Sequence, residues 1–417
     1  MYKMNISLNL AIAGGKPIRQ QPIRPVVKTS NECKSKINEL LETGILSNWY
    51  GGYVSHEFET EMAKYFGMQA GVASNSGTSA LHLAYIAAGI NKGDQVIIPS
   101  IGYVSAASAA IQERAMPIIC DVESQTLGMC PVDLEKRITK KTKLIVPVHM
   151  WGIPNQIDDI MKVAKKYNIP VLEDCGQAHG AKYKGKLVGS FGDISVFSFA
   201  PRKHISTGQG GMTVFRNLEQ AKIAKSAANK GKGHGWHDYY NLGYSYVMPD
   251  IEALIGLDGL KDLENEVERR RNAAKIYEQY LEGCGLELQE MPEDRYSCYF
   301  KYPFRLPNEY LLYKKFIIGA LLAENISTRA SHPPMHTISW LADYIKQNSS
   351  DIPEANLPRP IAEKEVERII EVETGPGMSE EDVHISAKGI LKVWECVKKM
   401  YNDGYIPEVL TETDVCT

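Results

Sequence analysis

The sequence predicts an α/β fold built on a seven-stranded, mostly parallel sheet. Short apolar runs of strand length alternate with stretches whose apolar residues recur at helical spacing, an alternation typical of parallel sheets. A chain of 417 residues is also long enough for a large core and for a second domain. The apolar runs are residues 71–74, 95–99, 117–121, 143–149, 170–174, 193–199 and 211–215.

Helical patterns complete this architecture. An amphipathic pattern precedes the first strand, and others lie between strands. These patterns cover residues 31–43, 79–89 and 157–167. The charged segment 260–281 predicts an exposed helix that leads into a smaller C-terminal domain. We therefore expect an N-terminal segment and large domain over residues 1–265, and a smaller domain over residues 266–417.

Composition narrows the classes of partner and the compartment. The net charge is −3 and the lysines and arginines are scattered, so we expect no nucleic-acid partner and no acidic membrane partner. The eight cysteines form no CxxC pair, which favours reduced thiols in a cytoplasmic protein. The apolar stretch at residues 6–13 is too short for a secretory or transmembrane segment.

The most informative stretch is an apolar strand that ends close to a lysine. Phe197-Ser198-Phe199 is followed by Lys203 and then by a glycine-rich turn at residues 208–211. A partly desolvated amine at the end of a buried strand can condense with an aldehyde, and pyridoxal phosphate is the aldehyde that enzymes most often use. The alternative is that Lys203 is an ordinary loop residue whose side chain is exposed to solvent.

A second strand ends in a carboxylate. Asp174 closes the apolar run at residues 170–174, and Gln177 follows three residues later. An aspartate beside the pyridine nitrogen of pyridoxal phosphate would favour its protonated form, while an amide could bind the ring's phenolic oxygen. The alternative is that both residues cap a helix and form its first turn.

Two further segments have residues that could hold such a cofactor. Gly77 and Thr78 stand where a small polar turn opens into a helical pattern, and a helix N-terminus binds phosphate through free N–H groups. Tyr103 follows the run at 95–99 and offers a ring for stacking. The alternatives are that the polar turn at Gly77 and Thr78 only caps a helix, and that Tyr103 only packs against its neighbours.

In this chain order, the motifs resemble the sugar aminotransferases of the DegT/DnrJ/EryC1/StrS family, a branch of the fold-type I pyridoxal phosphate enzymes. The resemblance extends from about Gly44 to Gly211. The matching residues include Phe58-Glu59, Ser76-Gly77-Thr78, Gly93-Asp94, Asp121, Val148-His149, Gly152, Glu173-Asp174, Gln177-Ala178, Gly189, Gly192-Asp193, Phe197-Ser198-Phe199, Lys203 and Gly208.

The resemblance implies a fold-type I aminotransferase-like sheet with helices on both faces and a smaller C-terminal α+β domain. It also implies that the cofactor is pyridoxal 5'-phosphate, which alternates with its pyridoxamine form. By position, Lys203 would bond the cofactor and act as the catalytic residue, Asp174 would face the ring nitrogen, and Gln177 the ring oxygen. Tyr103 would stack on the ring. The phosphate would be held by Gly77, Thr78 and Ser198.

The chain departs from the family pattern at three positions. The family usually has Asn where this chain has Ser245 and Arg where it has Val247, in a loop that reaches the neighbouring subunit's active site and helps to bind the phosphate. A serine hydroxyl can still donate one hydrogen bond. Gln209 stands where Glu is common. The resemblance nevertheless implies a homodimer with active sites at the subunit interface, and no metal.

The substrates implied are glutamate or glutamine as amino donor and a keto-sugar as acceptor. The acceptor could be nucleotide-linked, the commonest class in the family. It could also be a ketocyclitol such as scyllo-inosose, because residues 10–19 resemble the start of that branch. Ordinary core or interface packing is the alternative for each candidate residue of the acceptor pocket. These candidates are Trp49, Tyr50, His149, His332 and His336.

Two other functions stay open. Some relatives are regulatory or sensory proteins, so the chain could bind the cofactor without turnover. One relative dehydrates sugars and has histidine in place of the lysine. Lys203 argues against dehydration, and no basic patch supports a DNA-binding role.

Overall fold

A computed structural model describes residues 9–24, 26–27, 29–47, 52–233 and 237–407 of the chain. Helices and strands alternate along most of it, as predicted. The strands are β1 (Ala70–Ser74), β2 (Gln95–Pro99), β3 (Met116–Cys120), β4 (Thr142–Ile145), β5 (Leu172–Asp174), β6 (Lys182–Tyr183), β7 (Lys186–Leu187), β8 (Ile194–Ser198), β9 (Gly211–Phe215), β10 (Glu287–Leu288), β11 (Arg295–Tyr296), β12 (Tyr302–Arg305), β13 (Thr328–Ala330) and β14 (Ile369–Val372).

The α-helices surround these strands. They are α1 (Asn31–Thr43), α2 (Val54–Tyr65), α3 (Gly77–Ala87), α4 (Ser105–Gln112), α5 (Pro131–Arg137), α6 (Ile157–Tyr167), α7 (Leu218–Ala228), α8 (Asp250–Lys261), α9 (Leu263–Leu281), α10 (Lys314–Ala323), α11 (Ser339–Asn348), α12 (Pro360–Arg368) and α13 (Glu380–Asn402). The helix expected at 260–281 is interrupted at Asp262, so α8 and α9 are separate helices.

All seven predicted runs form strands, but a single seven-stranded sheet is not confirmed. The strands form a four-stranded sheet in the order β1-β9-β8-β5 and a three-stranded sheet in the order β3-β2-β4. Two isolated parallel bridges, Ile145 to Val171 and Val148 to Asp174, join them. Pro147 and Pro170 lie in these flanking segments and have no N–H, which limits the ladder there.

The four-stranded sheet is mixed, because β9 is antiparallel to both of its neighbours. β5 is parallel to β8, and β1 runs in the same direction as both. In the three-stranded sheet, β2 is parallel to β3 and β4. Strands β2 and β3 are buried at every position, as expected of Val- and Ile-rich strands covered on both faces.

Buried apolar residues form two large clusters. One lies among the strands β1–β5, β8 and β9 and the helices α2–α4. The other contains side chains from α9, β12, β14 and α13. The predicted boundary between residues 265 and 266 stays a prediction.

The N-terminal segment contacts both clusters. Leu10 belongs to the second, and the N–H groups of Ala11 and Ile18 donate to the Glu324 carboxylate at 2.9 and 2.7 Å. Farther along, Ser30 donates through N and Oγ to Asp258 of α8 at 2.8 and 2.6 Å. Over the described ranges, no helix is both long enough and apolar enough to cross a bilayer.

Candidate active site

Three strand ends meet at one edge of the four-stranded sheet. Ser74, Asp174 and Ser198 are the last residues of β1, β5 and β8, which run in the same direction. Gly211, the first residue of the antiparallel β9, pairs with both Ser74 and Ser198. The carboxyl ends of parallel strands are the usual place for a ligand in α/β proteins. The fold therefore brings the predicted residues of β5 and β8 to one edge.

The first residues of α3, Gly77 and Thr78, lie beside Ser198 and form with it a small pocket that we call the α3 cradle. A Cβ atom on Gly77 would lie 2.7 Å from Cβ and 2.9 Å from Oγ of Ser198, so this approach requires glycine. Ser76 caps the helix, because its Oγ accepts from the Ser79 N–H at 3.1 Å. The N–H groups of Gly77 and Thr78 donate to no other group in the described part of the chain. Free N–H groups at a helix N-terminus beside a hydroxyl suit a phosphate.

Thr78 is tied to the segment that follows β2. Its Oγ1 lies 2.8 Å from Oγ of Ser105, the first residue of α4. This contact fixes the distance between the α3 cradle and the segment that carries Tyr103. Ser105 was not among the predicted site residues, although a serine two positions after Tyr103 at a helix start was a usable signal.

Asp174 is buried at the end of β5 with one oxygen engaged. Its Oδ1 accepts from the Gly176 N–H at 2.9 Å. Burial raises the pKa of Asp174, whereas the Gly176 N–H and the nearby Lys203 act to lower it. No protein donor within the described ranges contacts its Oδ2. This oxygen can therefore accept a proton or hydrogen bond from a bound group.

Lys203 lies in the turn after β8 and is half-buried. Its Nζ is 4.3 Å from the centre of the Phe300 ring. Burial lowers the pKa of Lys203 to about 7, Asp174 acts against this shift, and three nearby cations add to it. An amine with such a pKa is uncharged in a large fraction of molecules at neutral pH. Lys203 is thus suited to act as a nucleophile and as a base.

Gln177 is held in one orientation. Its Oε1 accepts from the Trp151 N–H at 2.9 Å, so its amide nitrogen remains free to donate. The Trp151 indole donates to Oε1 of Glu371 at 2.7 Å, and Arg329 Nε donates to the other oxygen of Glu371 at 2.9 Å. A chain of hydrogen bonds therefore links Gln177 to β13 and β14.

The structure brings Tyr103 and His332 together. Their ring centres are 5.4 Å apart at an interplanar angle of 78°, an edge-to-face contact. Tyr103 is 52 % exposed, so one face of its ring is available for stacking. Burial lowers the pKa of His332, and Arg329 and Lys203 lower it further. His332 therefore lies within electrostatic reach of Lys203.

The other two predicted histidines have both ring nitrogens engaged. His336 Nδ1 lies 2.8 Å from Ser100 Oγ and its Nε2 lies 2.9 Å from Glu363 Oε1. His149 is fully buried, and its Nδ1 accepts from the Asn155 N–H at 3.1 Å. A role for either in acceptor binding stays a prediction, and these contacts do not favour it.

Glu173 explains the burial of His149. Its Oε2 accepts from His149 Nε2 at 3.2 Å and from the Gly189 N–H at 2.9 Å. Its Oε1 accepts from the N–H groups of Phe191 and Gly192 at 2.7 and 2.8 Å. Burial acts to raise the pKa of Glu173, but these donors outweigh it and hold the pKa below its ordinary value. Glu173 thus anchors β5 directly before Asp174.

Of the remaining predicted residues, one lies beside the start of α3 and two lie outside the described ranges. Ser245 is exposed, and its carbonyl oxygen accepts from Asn75 Nδ2 at 3.4 Å, so its segment lies beside the start of α3. Its hydroxyl has no partner in the described part of the chain. Trp49 and Tyr50 lie outside the described residues.

Together these residues can hold a flat anionic cofactor and perform acid–base chemistry. The α3 cradle offers donors for a phosphate, Asp174 a carboxylate, Gln177 an amide donor and Tyr103 a ring face. Lys203 adds an amine with a pKa of about 7. Phe300 and Arg329 also surround Lys203, and sequence reasoning did not identify them.

Comparisons with known proteins identify the family of the chain. The model of the DegT/DnrJ/EryC1/StrS aminotransferase family matches residues 28–388. The GDP-perosamine synthase of Escherichia coli O157:H7 is 33 % identical over 388 residues, covering 91 % of this chain and 99 % of the relative. The L-glutamine:2-deoxy-scyllo-inosose aminotransferase of Streptomyces paromomycinus is 30 % identical over 341 residues, covering 78 % and 80 % of the two chains.

A solved structure shows the same fold. The aminotransferase TlmJ of Streptoalloteichus hindustanus superposes with a TM-score of 0.78 at 26 % identity, covering 90 % of this chain and 100 % of that chain. The family model spans the strand ends, the α3 cradle and Lys203. The chain is therefore a member of the DegT/DnrJ/EryC1/StrS aminotransferase family.

Proposed function

We propose that this aminotransferase uses pyridoxal 5'-phosphate to move an amino group from glutamate or glutamine to a keto-sugar. The observation that carries the proposal is the half-buried Lys203, whose pKa is lowered to about 7, at the same sheet edge as Asp174 and the α3 cradle. Family membership and the names of the two relatives support it. The acceptor is a nucleotide-linked keto-sugar or a ketocyclitol.

The residues fit the cofactor as follows. Gly77, Thr78 and Ser198 would bind its phosphate, and only glycine at position 77 leaves room beside Ser198. Asp174 Oδ2 would accept a hydrogen bond from the protonated ring nitrogen, Gln177 would donate to the ring oxygen, and Tyr103 would stack on the ring. When bound, pyridoxal phosphate supplies an electron sink for the donor's α-carbon. Nζ of Lys203 would accept the proton from that carbon and pass it to the C4′ carbon of the cofactor.

We further propose a cytoplasmic homodimer in which Ser245 reaches the neighbouring active site. The exposed Ser245 hydroxyl, which has no partner in the described part of its own chain, supports this arrangement. The seven cysteines that the structure describes are all free thiols, which fits a reducing compartment. Measurement of the mass in solution tests the dimer.

The experiment that tests the function is a pair of half-reactions. Protein loaded with pyridoxal phosphate is mixed with glutamate or glutamine, and loss of the visible absorption of the bound cofactor is followed. A GDP-linked keto-sugar and 2-deoxy-scyllo-inosose are then offered as acceptors to restore it. We expect one donor and one acceptor class to react, and Lys203→Ala to abolish both reactions.

The alternatives give different results. A sensory protein would bind the cofactor, but no donor would change its absorption. A dehydratase would release water from a sugar without consuming an amino donor. Either result would overturn the aminotransferase proposal.

A further inference from the structure

An ion cluster lies beside Lys203 and contains none of the residues that we assign to the cofactor. It consists of Arg202, Lys301 and Glu373, which we call the Glu373 cluster. Oε2 of Glu373 accepts from Lys301 Nζ and from Arg202 NH1, the latter at 3.3 Å. Lys301 Nζ and Lys203 Nζ lie 5.7 and 4.3 Å from the centre of the same Phe300 ring. The cluster therefore adjoins the reactive amine.

The charges of the Glu373 cluster do not cancel. It holds two cations and one carboxylate. The side chains of Lys301 and Glu373 are only 4 % and 6 % exposed, whereas that of Arg202 is 41 % exposed. Lys301 neutralises Glu373 inside the protein, so Arg202 presents the remaining positive charge to solvent. Apart from the contact with Glu373, its guanidinium has no partner in the described part of the chain.

The cluster is also incomplete as a purely structural salt bridge. Oε1 of Glu373 is buried without a hydrogen-bond partner among the described residues. A buried ion cluster is stabilising only when its remaining lone pairs are satisfied. This oxygen can accept a hydrogen bond from water or from a bound N–H group.

The backbone holds Arg202 in an unfavourable conformation. Its φ is 74°, in the left-handed region that residues with side chains rarely adopt. The buried Arg270 stabilises it, because its NH2 donates to the Arg202 carbonyl oxygen at 3.0 Å. Strain of this kind is concentrated at functional sites. The turn thus directs a half-exposed guanidinium to Glu373.

We propose that Arg202, held by Glu373 and Lys301, binds a carboxylate of the amino donor and so determines donor specificity. A single uncompensated positive charge matches a single carboxylate, which the guanidinium can bind through two N–H groups. The cluster lies close to the reacting amine, because Lys301 and Lys203 both approach the Phe300 ring. A short amino acid fits this distance better than the phosphates of a nucleotide, which a whole sugar ring separates from the reacting carbon. The inference depends on the proposed function.

Three substitutions at Arg202 separate charge from backbone strain. Arg202→Gln removes the charge and keeps a hydrogen-bond donor, Arg202→Lys keeps the charge, and Arg202→Gly removes the side chain while relieving the strain. Lys184→Gln is the control, because Lys184 is exposed and paired with Asp158 at the surface. Each variant is first loaded with pyridoxal phosphate, and its visible absorption confirms that the cofactor is held.

The assay is the rate of loss of this absorption against glutamate and glutamine concentration. We expect Arg202→Gln and Arg202→Gly to raise the half-saturating donor concentration about 10- to 100-fold, because a charged hydrogen bond is lost. The maximal rate should stay within about threefold, since the contact is present before and during reaction. Arg202→Lys should recover only part of the affinity, because it restores the charge but not the paired N–H groups, and Lys184→Gln should match the wild type.

The outcomes distinguish this inference from the proposed function. If the wild type reacts with a donor and Arg202→Gln saturates at the same concentration, the inference is wrong while the function stands. If GDP inhibits the wild type but not Arg202→Gln, and donor saturation is unchanged, Arg202 binds phosphate and the assignment to the donor is overturned. If the wild type reacts with no donor, the proposed function itself fails.

Discussion

Substitution of Gly77 by alanine tests the cradle at the start of α3. The new Cβ would lie 2.7 Å from Cβ of Ser198, which is 0.7 Å closer than the shortest ordinary contact of 3.4 Å. Neither atom can rotate away, so α3 and β8 must separate by several tenths of an ångström. Overpacking of this kind costs about 1–3 kcal/mol. We expect the cofactor-free Gly77→Ala protein to lose about this much unfolding free energy.

The same displacement moves the phosphate donors apart. Gly77→Ala should therefore weaken binding of pyridoxal phosphate by more than about tenfold, the effect of losing one charged hydrogen bond. Ser198→Gly should weaken it similarly with little loss of stability. When Gly77→Ala and Ser198→Gly are combined, the clash is relieved. The unfolding free energy should therefore recover, while the affinity for the cofactor stays low. This non-additive pattern is expected of residues in direct contact.

Denaturant unfolding of the cofactor-free protein and titration with pyridoxal phosphate measure the two effects. Gly71→Ala is a matched control at the opposite end of β1, where a Cβ would lie 2.4 Å from the Glu59 carbonyl oxygen. It should destabilise the protein without changing cofactor affinity. If Gly77→Ala left both quantities unchanged, the close approach of α3 to Ser198 would be refuted.

Three other predictions concern protonation and charge. The rate at which cofactor-free protein takes up pyridoxal phosphate should rise with pH and be half-maximal near pH 7. Arg329→Gln should move this midpoint to higher pH, because Arg329 lowers the pKa of Lys203. A midpoint near pH 10.5 would contradict the burial of the amine. Asp174→Asn should slow the donor half-reaction by about 100-fold or more, and wild-type rates would remove Asp174 from the mechanism. Glu173→Gln should lower the unfolding free energy by about 1.5–3 kcal/mol at pH 7, while the exposed Glu135→Gln should change little. The pKa of Glu173 lies below 4.5, so the ionised carboxylate contributes to the unfolding free energy above that pH and loses this contribution at lower pH. The denaturant unfolding curves of the wild type and Glu173→Gln should therefore converge in acid.

The sequence was sufficient to predict features that depend on a few neighbouring residues, such as strands and the residues at their ends. The strands that end at Asp174 and Ser198 were predicted because each is a local apolar run followed by a polar residue. Gly77 and Ser198 were each assigned to the phosphate, but their direct approach across 121 residues of chain was not predicted.

Contacts between distant segments were not predictable in this way. Glu373 lies 171 residues from Arg202, and nothing local marks either as a member of a pair. His149 was a candidate for the acceptor pocket because a sequence does not show which way a side chain points, and the structure turns it toward Glu173. The break between α8 and α9 falls at Asp262, without a glycine or proline to announce it.

The N-terminal segment has a mechanical consequence for the enzyme. Leu10 and the amides of Ala11 and Ile18 are attached to the C-terminal core, while Ser30 is attached to α8. We call the segment between these attachments, residues 19–29, the strap, and its covalent length limits how far the attachment points can separate. Any closure or opening of the two cores around a substrate must keep both ends of the strap in place. Shortening it would restrict that motion, and lengthening it with a flexible insert would loosen the coupling, without touching a residue near Lys203.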